Sequence, residues 1–497
     1  MGRQMTATAG ALIDDAELWA QIDWDHVRGE VRRLQRRIAK AVKAGRWGRV
    51  KTLQHLLTHS FYAKLLAVKR VTSNRGRKTP GVDGVVWHGA GTKWRAVNSL
   101  RTRGYRPQPL RRIYIAKKNS LKKRPLSIPG MFDRAMQALY KLALAPVAET
   151  LADRNSYGFR EGRNCADAIA AAFNALSKPN SATWVLEGDI KGCYDHISHS
   201  WMLDNIPMDT VILRKWLEVG YMEQGRWYSS RKGTPQGGII SPTLANMTLD
   251  GMEQAIRQAV PRRSRVNFIR YADDFIVTGK SKQLLETQVK PAVTAFLNER
   301  GLMLSEDKTS ITHIRHGFTF LGQTFRKHGT VLHVSPAKEG VLALMRKVGR
   351  LSRKYVSAPM PALIKALNQT LRGWGNYHRH VVSSEAFFRV DTYVYEQLWR
   401  TIRRRHPNKS RRWLVRRYGI GKGGPSVLSV RCRTQQGYRV YEVMRLGSIG
   451  IRRHIKIRSD ANPYAPEDAA YFWRRRHQKG SRVLPALRSR DCQACWT

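Results

Sequence analysis

Apolar residues recur at Val27, Val31, Leu34, Ile38 and Val42, the spacing of one helical face, with Arg28, Arg32, Arg33, Arg36, Arg37, Lys40 and Lys43 between them. A second stripe through Val50, Leu53, Leu57, Phe61, Leu65 and Val68 predicts another helix, whereas residues 1–18 are small, polar and expected to be disordered. Tyr105 to Ile115 reads as a strand entering a basic hairpin, Lys117 to Lys123, and Arg124 to Pro129 starts the return. Asp133 to Leu151 is a largely apolar helix. Trp184 to Ile190 is an apolar strand with a carboxylate near its end, and in Asn267 to Val277 two short apolar runs flank Asp273 and Asp274. That second pattern predicts a β-hairpin with both aspartates at its tip. Between these strands lie a helix from His199, the turn Gly233-Thr234-Pro235-Gln236-Gly237-Gly238 and a helix from Pro242 to Ala259. Phe318 to Gly322 reads as a closing strand. From Ser335 the pattern becomes helical. Ser335-Pro336 is read as a cap with proline at the first helical position, followed by the stripes Leu363, Leu367, Leu371, Trp374 and Phe387, Val394, Leu398, Ile402. Beyond residue 431 apolar periodicity is weak.

Composition narrows the partners. The 497 residues suggest about three domains. Lys and Arg number 89 against 36 Asp and Glu, a formal net charge of +53, which points to a polyanion, with nucleic acid favoured over an anionic membrane surface. No apolar run is long enough to span a bilayer, so no membrane partner is expected. Five cysteines and the lack of a signal pattern argue for a reducing compartment, the cytoplasm, beside the nucleoid in a bacterium. The charge is also concentrated. No acidic residue interrupts Arg32 to Lys43, and Trp399 to Gly419 holds nine Lys or Arg, no acid, and the interleaved Trp413 and Tyr418. Such stretches suit phosphate contact and base stacking.

The candidate chemistry lies in the aspartates. Two adjacent Asp are most often only a turn. A further carboxylate, Asp189, brought from a strand end beside that turn would make a site for two Mg²⁺ ions, which favour oxygen ligands and commonly bind through one or two carboxylates plus substrate phosphates.

Tyr271-Ala272-Asp273-Asp274 resembles the metal box of reverse transcriptases, Gly188-Asp189-Ile190 to Tyr194-Asp195 their first metal box, and Gly233 to Gly238 with Ser241-Pro242 the block lining nucleotide and template. With the Thr79-Pro80-Gly81-Val82-Asp83-Gly84 turn and Leu367 to Tyr377, the chain from about Trp19 to Tyr471 is similar to reverse transcriptase/maturases encoded in group II introns. The resemblance implies an α+β right-hand polymerase with fingers, a palm built on an antiparallel sheet and a helical thumb. Residues 1–70 would be an N-terminal helical RNA-binding extension, 71–330 fingers and palm, 331–430 the thumb or maturase domain, and 431–497 a basic DNA-binding tail. It implies Asp189, Asp273 and Asp274 as catalytic ligands of two Mg²⁺, with the Ile190 carbonyl as an extra ligand. Lys117 and Arg124 would hold the dNTP triphosphate, with Lys118 competing for the first role; Gln236 would contact the nucleotide near its sugar, and Tyr194 would exclude a ribose 2′-hydroxyl. Lys308 would approach the leaving pyrophosphate, and the block from Asp153 to Arg160 would touch template. Intron RNA would be held by Arg32, Arg36, Arg372, Arg403, Arg404, Arg405, Arg411 and Arg412. The other partners implied are dNTPs, a primer and a DNA target; pairing of two chains as a homodimer is left open. The tail around Ala461-Asn462-Pro463-Tyr464 resembles the family's DNA-binding segment leading to an HNH nuclease. Cys492 and Cys495 supply two ligands where structural zinc needs four, so no zinc site and a truncated nuclease are expected, with His454 or His477 as candidate further ligands. Two alternatives stand beside the polymerase: a maturase that only assists splicing, and a domesticated relative acting in repair or defence.

Overall fold

The first apolar stripe forms one helix, Trp24–Lys43, with Val27, Val31, Ile38 and Val42 buried and the Asp23 carboxylate accepting from the backbone N–H groups of Asp25 and His26 at its start. The computed structural model describes residues 14–116, 123–419, 428–435 and 437–477. Of the N-terminal stretch expected to be disordered, Asp15 already opens a short helix, Asp15–Ala20; residues 1–13 lie outside the described residues. The second stripe is two helices rather than one, Trp47–His59 and Phe61–Ser73, broken at Ser60. Its residues Val50, Leu53, Leu57, Leu65 and Val68 are buried, while Phe61, next to the break, is exposed. The helix Met131–Leu151 packs against this pair and is buried nearly all round.

Among the described residues the strands are, in chain order, β1 (Leu110–Ala116), β2 (Lys123–Ile128), β3 (Trp184–Asp189), β4 (Tyr221–Glu223), β5 (Arg226–Tyr228), β6 (Asn267–Tyr271), β7 (Asp274–Gly279), β8 (Ser310–His313), β9 (Phe318–Phe320), β10 (Gln323–His328), β11 (Val331–Pro336), β12 (Ser429–Thr434) and β13 (Gly437–Glu442). The fingers sheet has the order β2-β1-β4-β5, and the palm sheet the order β6-β7-β3-β8 with every pair antiparallel. Period-two alternation divides the palm residues between two cores. Leu186, Phe268, Phe275 and Val277 pack with the fingers and N-terminal helices, while Val185, Ile269 and Ile276 face the helix Cys165–Leu176 and the sheet β11-β10-β9.

The thumb is three helices, Lys338–Lys354, Met360–His378 and Ser384–Arg405, whose predicted stripes form its core, except that Trp374 is only partly buried. Ser335-Pro336 does not start it. Both residues end β11, an edge strand, where a proline without an N–H is tolerated, and the helix begins after Ala337. The expected helix from Pro242 to Ala259 is likewise two, Ser241–Leu249 and Met252–Ala259. The sequence boundaries at 330/331 and 430/431 fall inside the hairpin β10–β11 and inside β12, and Leu428, Val430, Val443 and Leu446 belong to the thumb core.

The tail is better packed than its weak periodicity implied. Ala461, Asn462, Pro463 and Tyr464 are all buried, so this motif docks inward instead of presenting a DNA-facing surface. Its anchor is Asp167, fully buried, which accepts from His454 Nε2 (2.8 Å), the Ile457 N–H (2.7 Å) and Arg475 (2.8 Å). His454 is thereby committed to Asp167 and is no free zinc ligand; Cys492 and Cys495 lie outside the described residues. No described helix is long and apolar enough to cross a membrane.

Candidate active site

The hairpin forms as expected, with one change in detail. Tyr271 pairs with Asp274, so the two-residue turn is Ala272-Asp273 and Asp274 is the first residue of β7. Ala272 has φ +59°, the positive value that a tight hairpin turn requires and that costs a residue with a Cβ. Across the sheet Asp189, the last residue of β3, pairs with Asp274. Antiparallel register thus brings residues 85 positions apart to the same end of the two central strands, where Asp273 feels the charge of Asp189 and Asp274 the charges of both.

Two supports hold the turn, and the sequence reading gave neither of them that role. Arg270 is wholly buried; its guanidinium pairs with Asp250 (2.5 Å) and donates to Asn246 Oδ1 (3.1 Å) and the Ala272 carbonyl (3.3 Å). The break between the two helices at 241–259 is what frees Asp250 for this pair. The block expected to touch template is the second support. Asn155 and Tyr157 exchange backbone hydrogen bonds with Arg270, and Ser156, Tyr157 and Gly158 are buried; within it only Arg154 is fully exposed. Gly158 passes directly beneath the turn, where a Cβ would come within 2.4 Å of the Ala272 nitrogen.

Lost hydration, then repulsion from Asp273 and Asp189, pushes the Asp274 carboxyl up to about 7. Lost hydration also raises Asp273, with Asp189 adding to it. Opposing this, Lys308 Nζ lies 2.8 Å from Asp189 Oδ2, and that hydrogen bond raises the lysine. Three crowded oxygen-donor side chains are a donor set suited to Mg²⁺. Among the described residues no three His, Cys, Asp or Glu side chains stand as a group that could hold a metal ion. The main-chain bonds beside Ile190 run through the Asp189 carbonyl and the Lys191 N–H, so the Ile190 carbonyl is not engaged by the neighbouring segment at Leu304.

This crowding has a consequence for stability. The Asp274 value is raised from the ordinary carboxylate range to about 7 in the folded state, so its contribution to stability falls as pH rises from about 4 to 7, and the penalty is complete above 7. In metal-chelated buffer Asp274→Asn should therefore raise the thermal midpoint at pH 8, by about 1–3 °C for a chain of this size, and by less at pH 5.5. Thermal melts at the two pH values check this; an equal gain at both would show that repulsion is not the cause.

Around the carboxylates, Tyr194 is buried, its phenol pushed well above its usual value by burial and by the Asp273 charge, with Arg124 opposing. Its ring therefore lies within electrostatic reach of both the turn and the first residues of β2. Gln236 reaches Asp195 from 3.3 Å, and its carbonyl accepts from Ser127 N–H of β2 (2.7 Å). Gly237, with φ +116°, allows close approach, but to the fingers strand: a Cβ there would lie 2.9 Å from the Ser127 carbonyl. Lys117 and Lys118 lie outside the described residues.

The arginines expected on RNA separate into two groups. Arg36, Arg372, Arg403, Arg404, Arg411 and Arg412 are exposed. Arg32 instead joins the N-terminal helix to the tail, donating to the Pro463 carbonyl (2.6 Å) and lying over the Tyr464 ring. Arg405 is also turned inward and donates to the carbonyls of Tyr355 and Ala358 (2.6 and 2.7 Å). Tyr418, expected to stack on bases, is buried in the thumb core and bonded to His406.

An antiparallel palm carrying three carboxylates at one end of its central strands, with a fingers hairpin and a three-helix thumb, is the right-hand fold of the reverse transcriptase class. Residues 115–325 match the family described as reverse transcriptase (RNA-dependent DNA polymerase), 19–100 the N-terminal domain of reverse transcriptase, and 341–419 the group II intron maturase-specific domain. The chain thus combines matches to a reverse transcriptase domain, its N-terminal domain and a group II intron maturase-specific domain, and is similar to group II intron reverse transcriptase/maturases. It is 29% identical over 358 residues to the group II intron-encoded protein LtrA of Lactococcus lactis subsp. cremoris, covering 58% of this chain and 59% of LtrA. It is also 29% identical over 332 residues to the protein YkfC of Escherichia coli, covering 58% of this chain and 86% of YkfC. A 91 kDa protein of the cob intron of Schizosaccharomyces pombe is 26% identical over 67% of this chain and 51% of that one.

Proposed function

We propose that this protein is an RNA-directed DNA polymerase that binds a group II intron RNA, assists its splicing and supports its insertion into DNA. The observation that carries the reading is the convergence of Asp189, Asp273 and Asp274 at one end of the two central palm strands, with the Arg124 charge reaching Asp273 and Tyr194. The three carboxylates would hold two Mg²⁺ ions, which supply activation of the primer 3′-hydroxyl and charge neutralisation at the phosphates. The chain's own residues position the reactants. Arg124, whose charge reaches Asp273, binds the triphosphate together with Lys117, and the Gln236 side chain lies alongside the nucleotide sugar. The Tyr194 ring forms the wall against which the sugar rests. Arg270 and the Asn155–Gly158 segment keep the turn in place between cycles. Lys308, held at Asp189, neutralises charge on the pyrophosphate side as the α-phosphate is attacked in line. Most of the acceleration on this scheme is positioning and electrostatics.

Primer extension by the purified chain on an RNA template, with dNTPs and Mg²⁺, tests the reading; no extension, with intron RNA affinity retained, would leave only the splicing role. Tyr194→Ala should lower discrimination against ribonucleotides by about 1–3 kcal/mol, roughly 10- to 200-fold, as removal of one shape-selective wall does. Single-turnover incorporation of matched dNTP and rNTP measures it, and unchanged selectivity would remove Tyr194 from the role.

A further inference from the structure

The helix Met131–Leu151 follows directly on β2 and is buried nearly all round, so it makes a fixed platform beside the loop Gly233–Gly238. Gln137 and Lys141 stand one turn apart on it, on the same face. Both reach across to a single residue just past the loop. The Ile239 N–H donates to Gln137 Oε1 (2.9 Å), and Lys141 Nζ donates to the Ile239 carbonyl (3.3 Å). Both main-chain groups of Ile239 are thus held by side chains of one helix. The loop's other anchors lie upstream: the Thr234 N–H donates to the Tyr194 carbonyl (2.7 Å), and the Gln236 carbonyl accepts from the Ser127 N–H (2.7 Å). Gln236 therefore lies between an anchor on Tyr194 and the grip on Ile239. The fit at the grip is close, since a Cβ on Gly238 would stand 3.0 Å from Gln137 Oε1 and 2.5 Å from Ser241 Oγ. A lysine is a costly residue for this place. It is half-buried, and lost hydration, then the Arg70 charge, pushes its amine down to about 7, with Glu161 opposing. Packing alone would be served better by an apolar side chain, which carries no charge to desolvate.

We propose that Gln137 and Lys141 are positioning residues for the incoming nucleotide: by holding Ile239 at both its main-chain groups, they fix how far Gln236 reaches toward the sugar beside Tyr194. Neither side chain touches the reactants; each acts through the loop. Releasing Ile239 frees the downstream end of the loop and loosens the Gln236 contact. The carboxylates, held by β3, β6 and β7, keep their places. The effect therefore falls on nucleotide affinity and not on the chemical step. The inference rests on the polymerase reading above.

Primer extension by the full chain on an RNA template with a DNA primer, at varied dNTP concentration, tests it. Lys141→Met should raise the half-saturating dNTP concentration about three- to tenfold, the scale of one hydrogen bond, and leave the maximal rate within about twofold. Its thermal midpoint should be undiminished, because a desolvated charge has gone. Lys141→Arg, which keeps a cationic donor, should stay within about twofold of the wild type in both kinetic measures. Gln137→Met should raise the half-saturating concentration as well, with some loss of midpoint, because it leaves a main-chain N–H without its acceptor. If Lys141→Met lost its fold, Lys141→Gln, which keeps a shorter donor, would take its place under the same outcomes. Unshifted half-saturation in either of these variants would overturn the joint grip. So would an arginine variant as impaired as the methionine one, or a fall in maximal rate and midpoint alone, either of which would make the pair a stability element only. A wild-type chain that extended no primer at any dNTP concentration would instead overturn the polymerase reading itself.

Discussion

Asp273→Ala combined with Asp274→Ala is expected to abolish DNA synthesis while changing intron RNA affinity by no more than about twofold. Both carboxylates stand with Asp189 at one end of the central palm strands, and removing two of three oxygen donors leaves too little negative charge to retain a pair of divalent cations. The loss should exceed about a thousandfold, more than removal of a single stabilising donor from an active site, which costs roughly 10²–10³. RNA affinity should persist because the exposed arginines lie elsewhere: Arg36 on the N-terminal helix, Arg372, Arg403 and Arg404 on the thumb, Arg411 and Arg412 just after it. Parallel measurements of primer extension and of intron RNA binding at fixed salt decide the matter. A double variant that also lost tight RNA binding would show that the palm and the RNA-binding surface are not separable.

Arg270→Met is expected to be the most destabilising single change near the site. Arg270 is wholly buried and paired to Asp250, itself nearly so; removing one member of such a pair leaves an uncompensated buried charge and costs about 3–5 kcal/mol. Burial already pushes Asp250 up to about 6, so without the guanidinium it would take up a proton or admit water. A second substitution separates stability from positioning. With Asp250→Leu added, the buried charge disappears and much of the thermal stability should return, since apolar replacement of a buried pair is often close to neutral. DNA synthesis should not return, because the Ala272 carbonyl has lost the donor that holds the turn. Thermal melts and primer extension on the single and double variants test both halves; recovery of synthesis together with stability would make Arg270 a stability residue only.

Much of the palm could be read from the sequence because its elements are short, apolar and periodic. Residues 184–190 and 267–277 hold short apolar runs beside carboxylates, so β3, β6 and β7 were apparent, and Asp189, Asp273 and Asp274 stood out as the carboxylates at their ends. The failures have physical causes. Strands β4, β5, β8 and β13 are short or exposed and carry no clear alternation. Pro336 read as a helix opener because a first-turn proline and an edge-strand proline leave the same local signal. The helices at 47–73 and 241–259 read as continuous because a single extended residue at Ser60, or Asp250-Gly251, interrupts the helix without erasing the stripe.

Charge was legible as a total and much less so as a surface. The sequence alone determined that the chain carries a large positive excess in acid-free stretches, that three carboxylates end apolar strands, and that a helical region follows the palm, because these depend on composition and local periodicity. Tertiary structure decided which cations face outward. Arg32 and Arg405 look like their neighbours in the sequence, yet each is turned inward by a partner far along the chain, Pro463 and Tyr355, while Arg270 on β6 is turned inward by Asp250. It also decided that Asp167 anchors the tail from 287 residues before His454, and that Gln137 and Lys141 close on one residue far along the chain, Ile239. A hydrogen bond or ion pair depends on distance in space, and until the chain is folded one arginine on a helix surface is equivalent to the next.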